Sequence, residues 1–237
     1  MRNDWLDLFR HYGLVKLSDY AEHVESTLNH QLVEIDRYID TFETVEEKEY
    51  YVDRIYDEIA AYSDDFPAIM RASLLISIYS YLEHELNKLC RFHNAEGFLI
   101  FKTKATGIAR SKEFMKKELK MDFPDQTKEW NFICYVKEIR NCFAHAQGHI
   151  DMMSQGLQDK VRQAIKSLGK GLISEKESTK EIQLHEKFNE EFIKNAKKFL
   201  DYIYEEIKSP RHLTGWAFLI PGNRRPLNFK KSVEMEF

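Results

Sequence analysis

Glycine and proline are scarce, 9 and 5 among 237 residues. A turn-rich β fold needs more of both, so the scarcity favours long helices. Cysteine is scarce too: Cys90, Cys134 and Cys142 form no C-x-x-C pair, which argues against a disulfide framework and for reduced thiols. No long apolar run exists. The best stretch, Ala72–Leu82, is interrupted by serines and falls well short of the ~20 residues that span a bilayer. Met1 is followed by Arg2, Asn3 and Asp4, with no secretory hydrophobic segment, so a cytoplasmic protein is expected. Positive charge is not in excess either: the net charge is -4.

What is present is a globular chain, 43% hydrophobic and 31% charged, with its charges segregated. Residues 1–66 carry 17 Asp and Glu against 6 Lys and Arg. Residues 102–120 carry seven cations, among them Lys102, Lys104, Arg110, Lys112 and Lys116, against Glu113 and Glu118. Lys208 to Val233 holds six Lys and Arg and no acid. Binding a polyanion needs a local basic surface rather than a basic protein. The alternative for Lys112–Lys120 is a solvated helix face. Three regions are expected: an acidic helical extension over 1–66, a helical domain over 67–208 and a basic tail over 209–237.

Apolar periodicity places the elements. A short helix is expected over 4–12. Ser18 suits the N-cap of a helix running to about Thr41, with Leu28, Leu32, Ile35 and Ile39 as its stripe. A further run spans Thr44–Tyr62. Asp64, Asp65 and Pro67 mark a helix start, and Leu75, Ile78, Leu82, Leu86 and Leu89 carry that helix to about Phe92. Residues 94–110, with Gly97 and Gly107, read as a connecting loop. Ser111 reads as the cap of a short helix over Lys112–Lys120. Beyond these, the pattern predicts a helix over Leu157–Leu168 and a small β-hairpin from Leu172–Ser174 and Glu181–His185. A last helix follows over Glu186–Lys208, buried through Phe188, Phe192, Ala196, Phe199, Ile203 and Ile207.

The sharpest chemical signal lies in Trp130–Ile150. Thr127 or Asp125 caps a helix there, Phe132, Val136, Ile139 and Phe143 form its stripe, and Gly148 ends it. Arg140, Asn141 and His145 gather a fixed positive charge, an amide and a titratable base near its end. Asn141 and His145, four apart, share a face. Arg140 and His145, five apart, stand roughly 140° apart at about 100° per residue. Either the helix loosens near Ala144–Gly148 or the two groups meet a second copy across an interface. The plain alternative pairs Arg140 with Glu138 and leaves His145 as a helix C-terminal histidine favoured by the dipole.

Arg140-Asn141-x-x-x-His145 resembles the signature of the HEPN superfamily. Ser73–Cys90 likewise resembles the long helix that precedes the motif helix there, and the likeness covers about residues 67–207. The resemblance implies a mainly α, HEPN-like bundle acting as a metal-independent endoribonuclease, with two protomers joining their motifs. A toxin–antitoxin or antiphage-defence setting is implied, with an antitoxin or defence partner. One branch carries Tyr two residues after the His. Gln147 stands there in this chain, which argues against control by AMPylation.

Metal-free RNA cleavage needs proton transfer from the 2′-hydroxyl and to the 5′-oxygen, and positive charge for the phosphorane. His145 suits the proton transfers because its ordinary pKa is near neutrality. Arg140 suits the charge because it stays protonated and binds phosphate bidentately. Asn141 can orient either the imidazole or a phosphate oxygen. One chain supplies one such His and a two-fold dimer supplies two, so a homodimer is expected. Glu83, on a second face of its helix with Tyr79 and Ile76, is placed to pair with Arg140. Lys102, Lys104, Arg110, Lys112 and Lys116 are the expected RNA contacts. No cofactor or metal is called for. His145 and His149 have ligand spacing but no H-E-x-x-H glutamate and no third ligand. Cys142, beside Arg140, is the candidate for a lowered thiol pKa. A helical module that binds RNA or protein and cuts nothing is the other functional class.

Overall fold

A computed structural model describes residues 11–208. The expected helix over 4–12 falls largely outside this range, and the tail from Pro210 wholly so. The protein is mainly helical with one two-stranded antiparallel hairpin. In chain order the helices are α1 (Tyr12–Ile39), α2 (Val45–Arg54), α3 (Tyr56–Ala60), α4 (Phe66–Ile100), α5 (Gly107–Lys117), α6 (Lys128–Ala146), α7 (Gln155–Leu168) and α8 (Phe188–Lys208). The hairpin, β1 (Ile173–Glu175) and β2 (Ile182–Leu184), lies between α7 and α8. Among the described residues no helix is long and apolar enough to cross a membrane.

The axis is α4. Its expected stripe is buried throughout: Leu75, Ile78, Leu82 and Leu86 are fully enclosed and Leu89 nearly so. Against it pack α1, α5, α6 and α8. The α8 stripe Phe188, Phe192, Ala196, Phe199 and Ile203 is also enclosed. Leu14 of α1 joins this core, so the first described helix is held to the bundle along α4 and α8. Each fully buried Leu, Ile or Phe contributes about 1.5–3 kcal/mol of apolar transfer.

Several boundaries differ from expectation. Ser18 lies inside α1, which begins six residues earlier. Thr44 does cap α2, in a capping box with Glu47. The run from Thr44 breaks at Ile55, and Asp64–Asp65 starts no new helix. The chain instead stays helical through a π turn, Ala61–Asp65, directly into α4. Pro67 is the reason. Proline has no N–H to give and its ring collides with the carbonyl four residues back, so a wider turn ahead of it relieves the contact.

Of the expected loop over 94–110, only residues 101–106 are non-helical connection. Helix α4 continues to Ile100 across a kink at Asn94, whose backbone is non-helical (φ -155°, ψ 87°). The Asn94 side chain accepts from Gly97 N at 2.8 Å, capping the second segment. Ser111 is no cap: it is buried within α5 and donates to Asn87 Oδ1 at 2.9 Å. Thr106 precedes the first turn, and α5 ends at Lys117.

The hairpin forms with register Ile173↔Leu184, and Ile173, Ile182 and Leu184 turn their side chains into the core. It also fixes the end of α6. Ile182 N donates to Gly148 O (2.9 Å) and Ile150 N to Lys180 O (3.0 Å). The His149 imidazole lies 3.1 Å from the Glu181 carboxylate.

Candidate functional site

Helix α6 starts where Thr127 Oγ1 accepts from Trp130 N at 3.2 Å, so Thr127 rather than Asp125 is the cap. The buried face is rotated from the expected stripe. Ile133, Val136, Ile139, Cys142 and Ala146 are enclosed, whereas Phe132 and Phe143 are only partly covered. The helix stays regular to Ala146 and closes with Gln147 in the left-handed region (φ 52°), its N–H returning to Phe143 O at 3.2 Å. Gly148 follows at φ +90°, and a Cβ there would lie 2.9 Å from the Phe143 ring. Only glycine suits both the angle and the space.

Arg140 is half-buried against α4. Its guanidinium lies 5.0 Å from the centre of the Tyr79 ring, and Nη1 donates to Asn141 Oδ1 at 3.0 Å. Nε is buried and has no acceptor among the described residues. Glu138 is not its partner, since that carboxylate sits 3.3 Å from Lys137 Nζ. Tyr79 is 5% exposed. Burial pushes its phenol above the ordinary range, the Arg140 charge opposes this, and Glu83 adds to it. The ring is therefore a neutral platform beneath a fixed cation.

Glu83 does not join Arg140 in an ion pair among the described residues. Its carboxylate stands beside Gly107, whose added Cβ would lie 3.3 Å from Oε2. It thus borders the first turn of α5, where a negative charge is favoured by the helix dipole. His145 is exposed near the α6 terminus. Because α6 is unbroken between them, Arg140 and His145 project from different sides of one helix. A single chain brings Arg140 and Asn141 together and leaves His145 apart.

The basic residues divide. Lys102 and Lys104 are exposed on the short connection between α4 and α5. Arg110 is structural: it donates to Phe98 O at 2.7 Å and stacks on the Phe98 ring at 4.5 Å. Lys112 and Lys116 both bind Asp125, at 3.0 and 2.8 Å, and Lys112 also lies over Trp130 at 4.9 Å. These two ammonium groups, Lys116 first, hold the Asp125 carboxyl down to about 2. Three of the five expected RNA contacts are thereby engaged within the chain.

The competing chemistries find little support in the geometry. His149 lies past the helix and faces Glu181, not His145. No group of three or more His, Cys, Asp or Glu among the described residues is arranged to hold a metal ion. Cys142 is enclosed, and burial, with Asp151 adding, pushes its thiol up to about 11, the reverse of activation by Arg140.

Sequence reasoning missed two participants. Tyr79 was visible only as a neighbour of Glu83 on the face turned toward α6, and an aromatic at that place reads first as core. Asp125 was visible only as a possible cap. Lys112 and Lys116 sit i, i+4 and so share a face, but the partner reaches them through tertiary structure. No family model, no curated protein and no solved structure matches this chain.

Proposed function

We propose that this protein is a metal-independent endoribonuclease whose reacting groups come from two copies of the α6 terminus. The observation that carries this reading is the state of Arg140: a half-buried guanidinium, set on Tyr79 and braced by Asn141, with no carboxylate in ion-pair contact among the described residues. A cation held this way is pre-organised for an anion, and a phosphodiester is a natural fit. The exposed His145 supplies a proton acceptor and donor in the neutral pH range. One copy carries a single imidazole at this terminus, which cannot serve as base and acid at once. A two-fold pair of α6 termini offers two imidazoles, one as base and one as acid, and two guanidinium groups. Attack by the 2′-hydroxyl leaves a 2′,3′-cyclic phosphate and a 5′-hydroxyl. By the same resemblance the protein acts in the cytoplasm as a toxin or antiviral defence effector.

The test is cleavage of single-stranded RNA in EDTA by the wild type and by Arg140→Ala and His145→Ala, with circular dichroism and sedimentation as controls. Cleavage lost in both variants, with fold and assembly kept, supports the reading. Equal cleavage by all three, or none by any, refutes it.

A non-catalytic reading rests on a separate observation. Lys112 and Lys116 share the single carboxylate of Asp125, which cancels one of their two charges, so part of the most basic stretch of the sequence is already engaged within the chain. A helical module that engages a partner and cuts nothing is consistent with that.

A further inference from the structure

Beyond its kink, α4 ends in an anchored tip. Phe98 is the anchor: its ring is 2% exposed, meets Phe114 edge-on with centroids 5.0 Å apart, and carries the Arg110 guanidinium at 4.5 Å. Arg110 also donates to Phe98 O at 2.7 Å. Directly after this fixed ring the chain turns two aliphatic side chains outward. Leu99 and Ile100 are 79% and 74% exposed, more than any other large hydrophobic side chain among the described residues.

The connection to α5 extends the same surface. Coverage alternates along it: Phe101, Thr103 and Ala105 are partly covered, whereas Lys102 and Lys104 are exposed. Phe101 packs on Phe114 with centroids 5.3 Å apart. Thr103 Oγ1 donates to Glu113 at 2.8 Å and accepts from Ala105 N at 3.0 Å. These inward contacts leave the two lysines on the outer side, since neighbours in extended chain point opposite ways. Neither lysine forms an ion pair among the described residues. Glu113 is already engaged by Thr103 and Lys117. Residues 95–104 thus set Lys102 and Lys104 against Glu96 alone, an excess of positive charge beside the exposed aliphatic pair.

We infer that this tip docks the protein on an anionic phospholipid surface. A single exposed Leu is ordinary. Two adjacent aliphatic side chains next to an anchored ring, bordered by two unpaired ammonium groups on long stems, complement the headgroup region of an acidic bilayer. Leu99 and Ile100 enter the acyl boundary, and Lys102 and Lys104 meet lipid phosphates. The rings of the tip, Phe98 and Phe101, are turned toward α5, so the tip offers no outward platform on which a nucleic-acid base could stack. With two small signals in place of a spanning helix, the contact is peripheral and reversible. It is independent of the nuclease reading and stands whether or not the protein cuts RNA. Lys102 and Lys104 are also the expected RNA contacts, so Leu99 and Ile100 tell the two roles apart.

The experiment is co-sedimentation of the full chain with phosphatidylcholine vesicles containing about a third phosphatidylglycerol, against vesicles of phosphatidylcholine alone. The expected result is saturable partition onto the anionic vesicles that weakens with salt, and little onto the neutral ones. Leu99→Ser/Ile100→Ser, at two exposed positions, lowers the partition coefficient about tenfold or more with the circular dichroism unchanged. Lys102→Ala/Lys104→Ala lowers it by a similar factor, and Glu96→Gln raises it a few-fold. No partition of the wild type onto anionic vesicles overturns the proposal. Partition that either double substitution leaves unchanged also overturns it, as charge adsorption elsewhere on the surface. Single-stranded RNA binding that Leu99→Ser/Ile100→Ser abolishes, in a protein that ignores vesicles, overturns it and reassigns the tip to nucleic acid.

Discussion

Two cationic regions invite comparison: the lysines of α5 and the guanidinium of α6. By sequence, α5 is the stronger candidate for a polyanion surface, with Lys112, Lys116 and Lys117 on one short helix. In the structure Lys112 and Lys116 are held by Asp125, and Lys117 by Glu113 at 2.8 Å. Arg140 forms no ion pair among the described residues, and its direct companions are a ring and an amide, which orient a cation without cancelling it. The density of charge along a chain says little about its availability. What the nearest tertiary neighbour carries decides that.

The comparison breaks most visibly at Arg140. Arg140→Ala is expected to lower RNA cleavage by at least about a hundredfold, in the range typical of a lost proton-transfer or charge-stabilising group. Arg140→Lys rescues little, because an ammonium loses the planar stacking on Tyr79. Single-turnover rates on a defined oligonucleotide measure both. Beneath it, Tyr79→Ala removes a buried ring and is expected to destabilise the fold by about 3–5 kcal/mol, read from urea unfolding. Tyr79→Phe keeps the platform and leaves stability and cleavage close to wild type.

Asp125 sharpens the other side. Its carboxyl is held near 2 in the folded protein, against about 3.9 for an unperturbed Asp. The stabilisation is fully present above pH ~4 and is lost as pH falls through 4 toward 2. Solvent screening limits it to about 1 kcal/mol. Asp125→Asn is expected to lack this component of acid sensitivity in denaturation monitored by circular dichroism. The same substitution frees Lys112 and Lys116, and RNA affinity is expected to rise a few-fold with a steeper dependence on salt.

The smallest effect lies in the loop. Lys102→Ala with Lys104→Ala is expected to weaken RNA binding by a few-fold and to flatten the salt slope by at most about two phosphate contacts. Lys112→Ala with Lys116→Ala changes binding less. The reverse order, seen by fluorescence anisotropy, would remove the distinction between exposed and engaged lysines.

The long elements were legible because their apolar residues recur at helical period over many turns. The stripes of α4 and α8 were read correctly, and the hairpin was read to within a residue or two. The run expected from Thr44 begins where α2 does, with Thr44 as its cap. The failures are local backbone choices with weak signals. Asp65-Phe66-Pro67 reads as a helix start, but a π turn carries the helix through. Gly97 reads as a break, but Asn94 caps the segment that contains it. The α6 face was misread because the large Phe132 and Phe143 outweighed the small Cys142 and Ala146. Small side chains give a strong burial tendency and a weak hydropathy signal. Arg140 and Asn141 meet as neighbours, which spacing allows. The Tyr79 platform and the Asp125 clamp join residues far apart in the chain, which no local pattern encodes.

The central claim is that each reaction centre draws on two subunits. Wild-type protein titrated with excess chain carrying both Arg140→Ala and His145→Ala tests it directly, with RNA cleavage measured in EDTA after subunits have exchanged. The account predicts that activity per wild-type subunit collapses as mixed dimers form. Activity that stays constant per wild-type subunit, at any excess of the substituted chain, would contradict it.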